Sequence, residues 1–268
     1  MKNKGTLSVI MGNYNHGHFI QEALQAILSQ SFLPLEVIVI DDGSTDNSVE
    51  IIESIAAKNP IVKLYRNVKN EGVMNTANKG TKIATGEYIY WAAADDRVCP
   101  GFFEKSVNIL NQNPEAGLSS ALLKIIDEDG NDTMWAKSPV ISKTECFLSA
   151  NQVRKVLLKH GFWFTGHTVI CRREYLVKDA NVFDPELYQF ADHIVDIILA
   201  TKHGACFIPE ILATWRTTID GSGFAETHFI SEETKTNSGL DKIVQIMNSK
   251  EYALLIPHNF IKQYKSQV

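Results

Sequence analysis

Two hydrophobic rhythms alternate along the chain. Residues 7–11 form a short apolar stretch of the kind that makes a buried strand, and Phe19, Ile20, Ala23, Leu24, Ile27 and Leu28 then recur at helical spacing on one face. Pro34 breaks the chain. The run Leu35, Val37, Ile38, Val39 and Ile40 follows, β-branched and continuous as in strands buried on both faces of a parallel sheet. Ser44, Thr45, Asp46 and Asn47 offer N-caps for a helix to about Ala57, and residues 62–65 suit a third strand. After Asn70-Glu71-Gly72, a helix over 73–84 leads through Thr85-Gly86 into a strand over 87–92 that ends on Asp95 and Asp96. Alternating strands and helices predict a doubly wound α/β sheet with right-handed crossovers.

Beyond Pro100 the pattern loosens. Helices are expected over 102–112, 151–160 and 187–202, and strands over 118–126, 168–171 and 205–215, with an Asp- and Gly-rich turn at 127–132. This half reads as a mixed sheet. After Gly221-Ser222-Gly223 the pattern is helical to the end. No repeat or low-complexity linker divides the chain. The expected organisation is a domain over 1–225, its first 100 residues forming one half and 101–225 the other, with a helical extension over 226–268.

Composition narrows the classes. The chain has 268 residues, 26 basic and 31 acidic, for a net charge of −5. Its apolar runs fall well short of the roughly 18 residues a membrane span needs, and its polar start lacks a signal-peptide core, so a cytoplasmic protein is expected. No basic cluster marks a nucleic-acid surface. Cys99, Cys146, Cys171 and Cys206 are scattered without a C-x-x-C pair. His16 and His18 form an H-x-H without a convincing third ligand nearby, and a polar loop explains them equally well.

In open parallel sheets, ligands bind at the carboxyl ends of the strands. Here those ends carry Gly12-Asn13-Tyr14-Asn15, Asp41-Asp42-Gly43-Ser44 and Asp95-Asp96. Neither a G-x-G-x-x-G after a strand nor a P-loop is present. Carboxylate pairs on neighbouring strand ends repel unless a cation or hydrogen-bond donors lie between them. A divalent metal, Mn²⁺ or Mg²⁺, shared with a diphosphate is the simplest expectation.

The segments LSVIMGNYNHGHFIQEALQAILSQSFLPLEVIVIDDGSTDNS, NEGVMNTANKGTKIATGEYIYWAAADD and FADHIVDIIL, in that order and spacing, resemble the family 2 glycosyltransferases, and most closely their SpsA-like bacterial members. The resemblance covers about residues 6 to 218. It implies the GT-A fold, a Rossmann-like, mostly parallel central sheet flanked by helices, and inverting transfer of a sugar from a nucleotide-diphosphate donor. It places Gly12, Asn13 and Tyr14 at the nucleotide, Tyr14 as a stacking platform for a uracil-type base and Asp42 as the acceptor for the base N–H. Asn78 falls near the nucleotide, with a capping or helix-packing role as the alternative. Asp96 takes the metal directly, and Asp95 the ribose or a metal-bound water. The family's first acidic metal-site position is Ala93 here, and Ala77 stands where an arginine is common.

An inverting transfer needs one base to take the acceptor hydroxyl's proton. Asp192 matches the family's base position and equally suits the N-terminus of a helix as a favourable acid. Asp196, one turn on, is the alternative, at a cost if buried without a partner. His167 and Arg216 are further candidates for the cleft, and Trp163 or Trp215 for stacking on a sugar. The donor implied is a UDP- or dTDP-sugar, and the acceptor a glycan or lipid-linked hydroxyl in bacterial polysaccharide or glycoconjugate synthesis. A segment with Tyr252, Leu254, Leu255, Ile256, Phe260, Ile261 and Tyr264 alongside Lys250, Lys262 and Lys265 is amphipathic. It leaves open contact with the inner face of a membrane, a second subunit, or packing on the domain itself. A non-catalytic nucleotide-sugar binding or scaffolding subunit is the alternative from another class, motivated by Ala93 and Ala77. A nucleotidyltransferase fits less well, because Gly12-Asn13-Tyr14-Asn15 is neither basic nor glycine-rich.

Overall fold

The computed structural model describes residues 5–135, 139–180, 183–217, 233–250, 252 and 256–267. The Gly221-Ser222-Gly223 break, the boundary expected at 225, and Leu254 and Leu255 lie outside the described residues.

The expected βα units form in order. They comprise β1 (Leu7–Asn13), α1 (Ile20–Leu28), β2 (Glu36–Asp41), α2 (Ser48–Ala56), β3 (Val62–Arg66), α3 (Val73–Ile83) and β4 (Tyr88–Ala92). The second half holds β5 (Arg97–Val98), α4 (Phe102–Gln112), β6 (Leu118–Ile126), β7 (Asp132–Trp135), β8 (Cys146–Leu148), α5 (Ala150–His160), β9 (Ile170–Arg172), a short α6 (Arg173–Tyr175), α7 (Ala191–His203) and β10 (Ala205–Arg216). Two helices follow, α8 (Glu233–Met247) and α9 (His258–Gln267).

One ten-stranded sheet runs β3-β2-β1-β4-β9-β6-β10-β5, with β7 added to β6 and β8 to β10. Strands β3, β2, β1 and β4 are mutually parallel. Strand β9 is antiparallel to both β4 and β6, and β6 is parallel to β10. Two reversals restore direction, so the carboxyl ends of β1, β2, β4, β6 and β10 all reach the same edge. The turn before β9 reaches it too.

The period of two along each strand decides which layer it feeds. Ile10, Ile38, Ile40 and Ile89 join one buried cluster with α5, α7, α8 and α9, whereas Val9, Val37, Val39, Tyr88 and Tyr90 join a second with α1, α2 and α4. The sheet is therefore covered on both faces, which accounts for the near-continuous apolar runs of its central strands.

One sequence expectation changes, one strand forms with an irregularity and one open alternative is resolved. The helix expected over 187–202 begins as a 3-10 turn, Pro185–Phe190, before α7. Leu187 and Phe190, three apart, are both buried, a spacing that eclipses in 3-10 geometry. Pro209 lacks an N–H, and the β10–β6 register shifts just beyond it. For the amphipathic C-terminal segment, Ile243, Met247, Ile256, Phe260, Ile261 and Tyr264 are buried within a core cluster that includes α7, so these residues pack on the domain, one of the alternatives the sequence left open.

Candidate active site

The carboxyl edge of the sheet is knitted together by its own polar residues. Asn13, at the end of β1, is 2% exposed, and its amide nitrogen lies 2.8 Å from Asp41 Oδ1, 3.1 Å from Ser44 Oγ and 2.9 Å from Ser48 Oγ. Asp41 also accepts the Ser44 N–H, which closes the turn after β2. Asn15 has φ 57°, a left-handed conformation that Asn tolerates, and from there its N–H donates to Ser44 Oγ while its side-chain oxygen accepts from Thr45 N–H. Gly12 lies against α3, where a Cβ would meet Thr76 Cγ2 at 3.2 Å. Gly12, Asn13 and Asp41 thus shape the loops, with the Asn13 amide nitrogen donating to them and its Oδ1 buried without a partner among the described residues. Tyr14, held between them, keeps 38% of its surface exposed.

Asp42 is buried, and its carboxylate gathers the next loop. Oδ1 accepts from Asn67 Nδ2 at 2.7 Å and Glu71 N–H at 2.9 Å, and Oδ2 from Gly72 N–H at 2.8 Å. Gly43 permits this approach: its φ is +77°, and a Cβ there would meet the Lys69 backbone at 2.9 Å. A carboxylate offers about four acceptor positions, so the three donors leave Asp42 roughly one for a ligand N–H. Lys79 of α3 donates to Asn67 Oδ1 at 2.5 Å and brings a cation to this loop. Asn78 instead donates to the Phe183 carbonyl at 2.8 Å, the packing alternative raised by its sequence context.

Beyond β4, Asp95 and Asp96 differ sharply. Asp96 Oδ1 accepts the Arg216 backbone N–H at 2.6 Å, and Oδ2 pairs with His167 Nδ1 at 2.7 Å. Asp95 is pushed up to about 7 by burial and by the adjacent Asp96 charge. His167, in the turn before β9, is drawn down by burial but lifted overall to about 9 by its contact with Asp96, then by Asp95 and Asp192. Its ring stacks on Trp215 at 6.1 Å between centroids.

Arg216 is buried. Its guanidinium donates to the carbonyls of Asp95, Asp127 and Glu128 and to Glu22 of α1, and it lies 4.7 Å over the Phe19 ring. Arg97 anchors the same hairpin through the Gly130 carbonyl and Glu22. Arg216 therefore braces the Asp95–Asp96 segment with four of its five guanidinium N–H donors. Trp163, at 1% exposure, packs against Phe164 and Phe207 and is no sugar platform.

Asp192 opens α7. Its Oδ1 accepts from His193 N–H at 2.9 Å, and its Oδ2 is packed so closely on Gly166 that a Cβ there would lie 2.6 Å away. The charges of Asp96, Asp95 and Asp192 all act on His167. Asp196, one turn further on, is 3% exposed with Oδ2 unpartnered, and burial followed by the Asp192 charge drives its carboxyl well up. Asp192 is the less buried of the two. Among the described residues no three His, Cys, Asp or Glu side chains gather as a closed metal cage. The pair still suits a hard cation, which needs only one or two carboxylates when phosphate oxygens complete its shell, and a dication would relieve the repulsion that raises Asp95.

The residues the motifs miss are Glu22, Asn67, Lys79, Arg97 and Gly166. They lie far apart in sequence and act by supporting other groups, so only tertiary contacts identify them.

Residues 8–178 match the profile of glycosyl transferase family 2. An uncharacterized glycosyltransferase of Haemophilus influenzae is 38% identical over 211 residues, spanning 77% of this chain and 80% of that protein. The uncharacterized glycosyltransferase YibD of Escherichia coli is 39% identical over 104 residues, 39% of this chain and 30% of its own length. Among solved structures, S. aureus TarS 1-349 in complex with UDP-GlcNAc superposes with TM-score 0.73 at 19% identity, covering 97% of this chain and 71% of that one. The mannosyltransferase PcManGT from Pyrobaculum calidifontis, in complex with GDP-Man and Mn²⁺, gives 0.69 at 19%, covering 99% and 70%. The fold is thus that of the GT-A enzymes, and with the profile covering more than half its length the chain belongs to glycosyl transferase family 2.

Proposed function

We propose that this protein transfers a sugar, with inversion, from a UDP- or dTDP-sugar to a hydroxyl of a glycan or lipid-linked acceptor in bacterial polysaccharide or glycoconjugate synthesis, at the cytoplasmic side of the cell. The observation that carries the reading is the meeting of Asp95, Asp96 and Asp192 around His167 on the edge where Tyr14 and Asp42 open. Tyr14 stacks on the base, and Asp42 uses its remaining acceptor position for the N3–H of a uracil or thymine ring. Asp95 and Asp96 hold Mn²⁺ or Mg²⁺, which when bound supplies charge neutralisation to the departing diphosphate. Asp192 takes the proton of the acceptor hydroxyl as it attacks the anomeric carbon. The UDP-GlcNAc bound by TarS and the Mn²⁺ bound by PcManGT, two proteins of the same fold, support this reading of donor and metal.

The test is Asp192→Asn. UDP binding, measured by calorimetry with Mn²⁺, should stay within about twofold of wild type, while release of UDP from UDP-sugars falls by about a thousandfold, as expected when an interaction acting only in the transition state is lost. Wild-type turnover in Asp192→Asn would refute the assignment of the base.

A further inference from the structure

Residue 193 and the C-terminal helix meet behind the proposed base. His193 Nδ1 and the Tyr264 hydroxyl share a 2.6 Å hydrogen bond. Tyr264 is fully buried, although α9 lies some 80 residues beyond the segment that matches the family profile. The Phe162 ring covers the imidazole at 4.2 Å between centroids, and Phe190 meets its edge at 6.0 Å. Burial pulls His193 down against the opposing charge of Asp192, and burial, then Asp192, pushes the Tyr264 hydroxyl up. The two rings are joined by one directional bond.

That bond lies where α7 is least able to hold itself. The first turn of a helix leaves N–H groups without intrahelical partners, and the residue before α7, Phe190, has no side chain that can cap them. Asp192 and His193 both belong to this turn. On the far side Asp192 Oδ2 lies close to Gly166, where a Cβ would meet it at 2.6 Å.

We propose that Tyr264 is a positioning residue: through His193 it fixes the first turn of α7, and with it the direction in which Asp192 presents its carboxylate. The inference rests on the reading of Asp192 as the base.

The test uses the full-length chain with UDP-GlcNAc, Mn²⁺ and water as acceptor. Tyr264→Phe keeps the ring and removes the hydroxyl. It should lower kcat about tenfold with donor KM within about twofold, because a small misplacement of a reacting group costs rate rather than binding. His193→Leu should fall as far. His193→Asn, whose amide occupies the place of Nδ1, should recover part of the loss. The double variant should be no slower than either single, since both remove the same bond. Turnover within about twofold of wild type in both single variants, or losses that multiply in the double, would overturn the proposal. The companion Asp192→Asn separates the two readings. If it is inactive while Tyr264→Phe is fully active, only the positioning role falls; if it is fully active, the base assignment falls and this inference with it. A measurement independent of donor choice is the Asp192 carboxyl ¹³C resonance, which should move in Tyr264→Phe. An unmoved resonance overturns the proposal even where UDP-GlcNAc is not turned over.

Discussion

Asp192 presents its carboxylate against a residue that has no side chain. Gly166 does not lie at positive φ, so alanine costs it little backbone strain, yet a Cβ would sit 2.6 Å from Asp192 Oδ2. The group that must give way is the mobile end of one side chain, so the cost falls on orientation rather than on folding. Gly166→Ala should lower kcat by about 10- to 100-fold while shifting the melting temperature by only a few degrees. A melting temperature that collapses together with activity would instead make Gly166 a packing residue. At this scale the sequence was partly legible. Asp192, Asp42 and Asp95–Asp96 stand out as acids at element ends, but Asn13 and Asn78 carry the same polar signature and use their amide nitrogens on neighbouring loops. Residue type says what a group can donate or accept, whereas only its neighbours say which part of that capacity is used: both amide nitrogens donate, while both Oδ1 atoms are buried without a partner among the described residues.

Elements are joined at the opposite edge of the sheet by one carboxylate. Glu36, at the start of β2, accepts from Ser8 Oγ of β1, Lys63 Nζ of β3, and both the N–H and the hydroxyl of Thr85 before β4. Burial alone would raise its pKa, but the Lys63 ammonium and the Thr85 and Ser8 donors outweigh it and bring Glu36 from 4.5 to about 2. A depressed carboxylate stabilises the fold fully above its unfolded value and loses that contribution as pH falls through the folded one. Wild type should therefore lose about 3 kcal/mol between roughly pH 5 and pH 2 from this group. Glu36→Gln should be less stable near neutrality and flatter across the acid limb, measured by urea unfolding at several pH values. An identical acid limb in the variant would disprove the role. The elements themselves were legible because β1 to β4 and α1 to α4 follow simple periods. The two-residue β5 and three-residue β8 are too short to show one, and their pairing with β10 supplies what the local sequence lacks.

For the whole molecule, the helices after residue 233 belong to the core. Ile243, Met247, Ile256, Phe260, Ile261 and Tyr264 are each at most 4% exposed. At roughly 1.5–3 kcal/mol per buried side chain, their sum is comparable with the entire 5–15 kcal/mol stability of a typical domain. A chain ending at Thr217 should lack a cooperative unfolding transition or aggregate on expression. A soluble fragment that melts at the wild-type temperature would show α8 and α9 to be a dispensable appendage. None of the described helices is long and apolar enough to cross a membrane.

What the sequence determined by itself was local and ordered: the alternation of strand and helix, the acids at strand ends, and the motif order that places the chain in its family. These follow from period, propensity and spacing, which act over a few residues. Tertiary structure alone decided which acids remain available. Asp95 and Asp96 are adjacent in sequence, yet Arg216 and His167, 120 and 71 positions beyond Asp96, hold the oxygens of Asp96, while burial and the neighbouring Asp96 charge raise Asp95. The fate of the amphipathic C-terminus was settled in the same way. Its apolar face could be read from spacing, but what covers it depended on the turn over Pro185–Phe190 and on α5, which come together only in the folded chain.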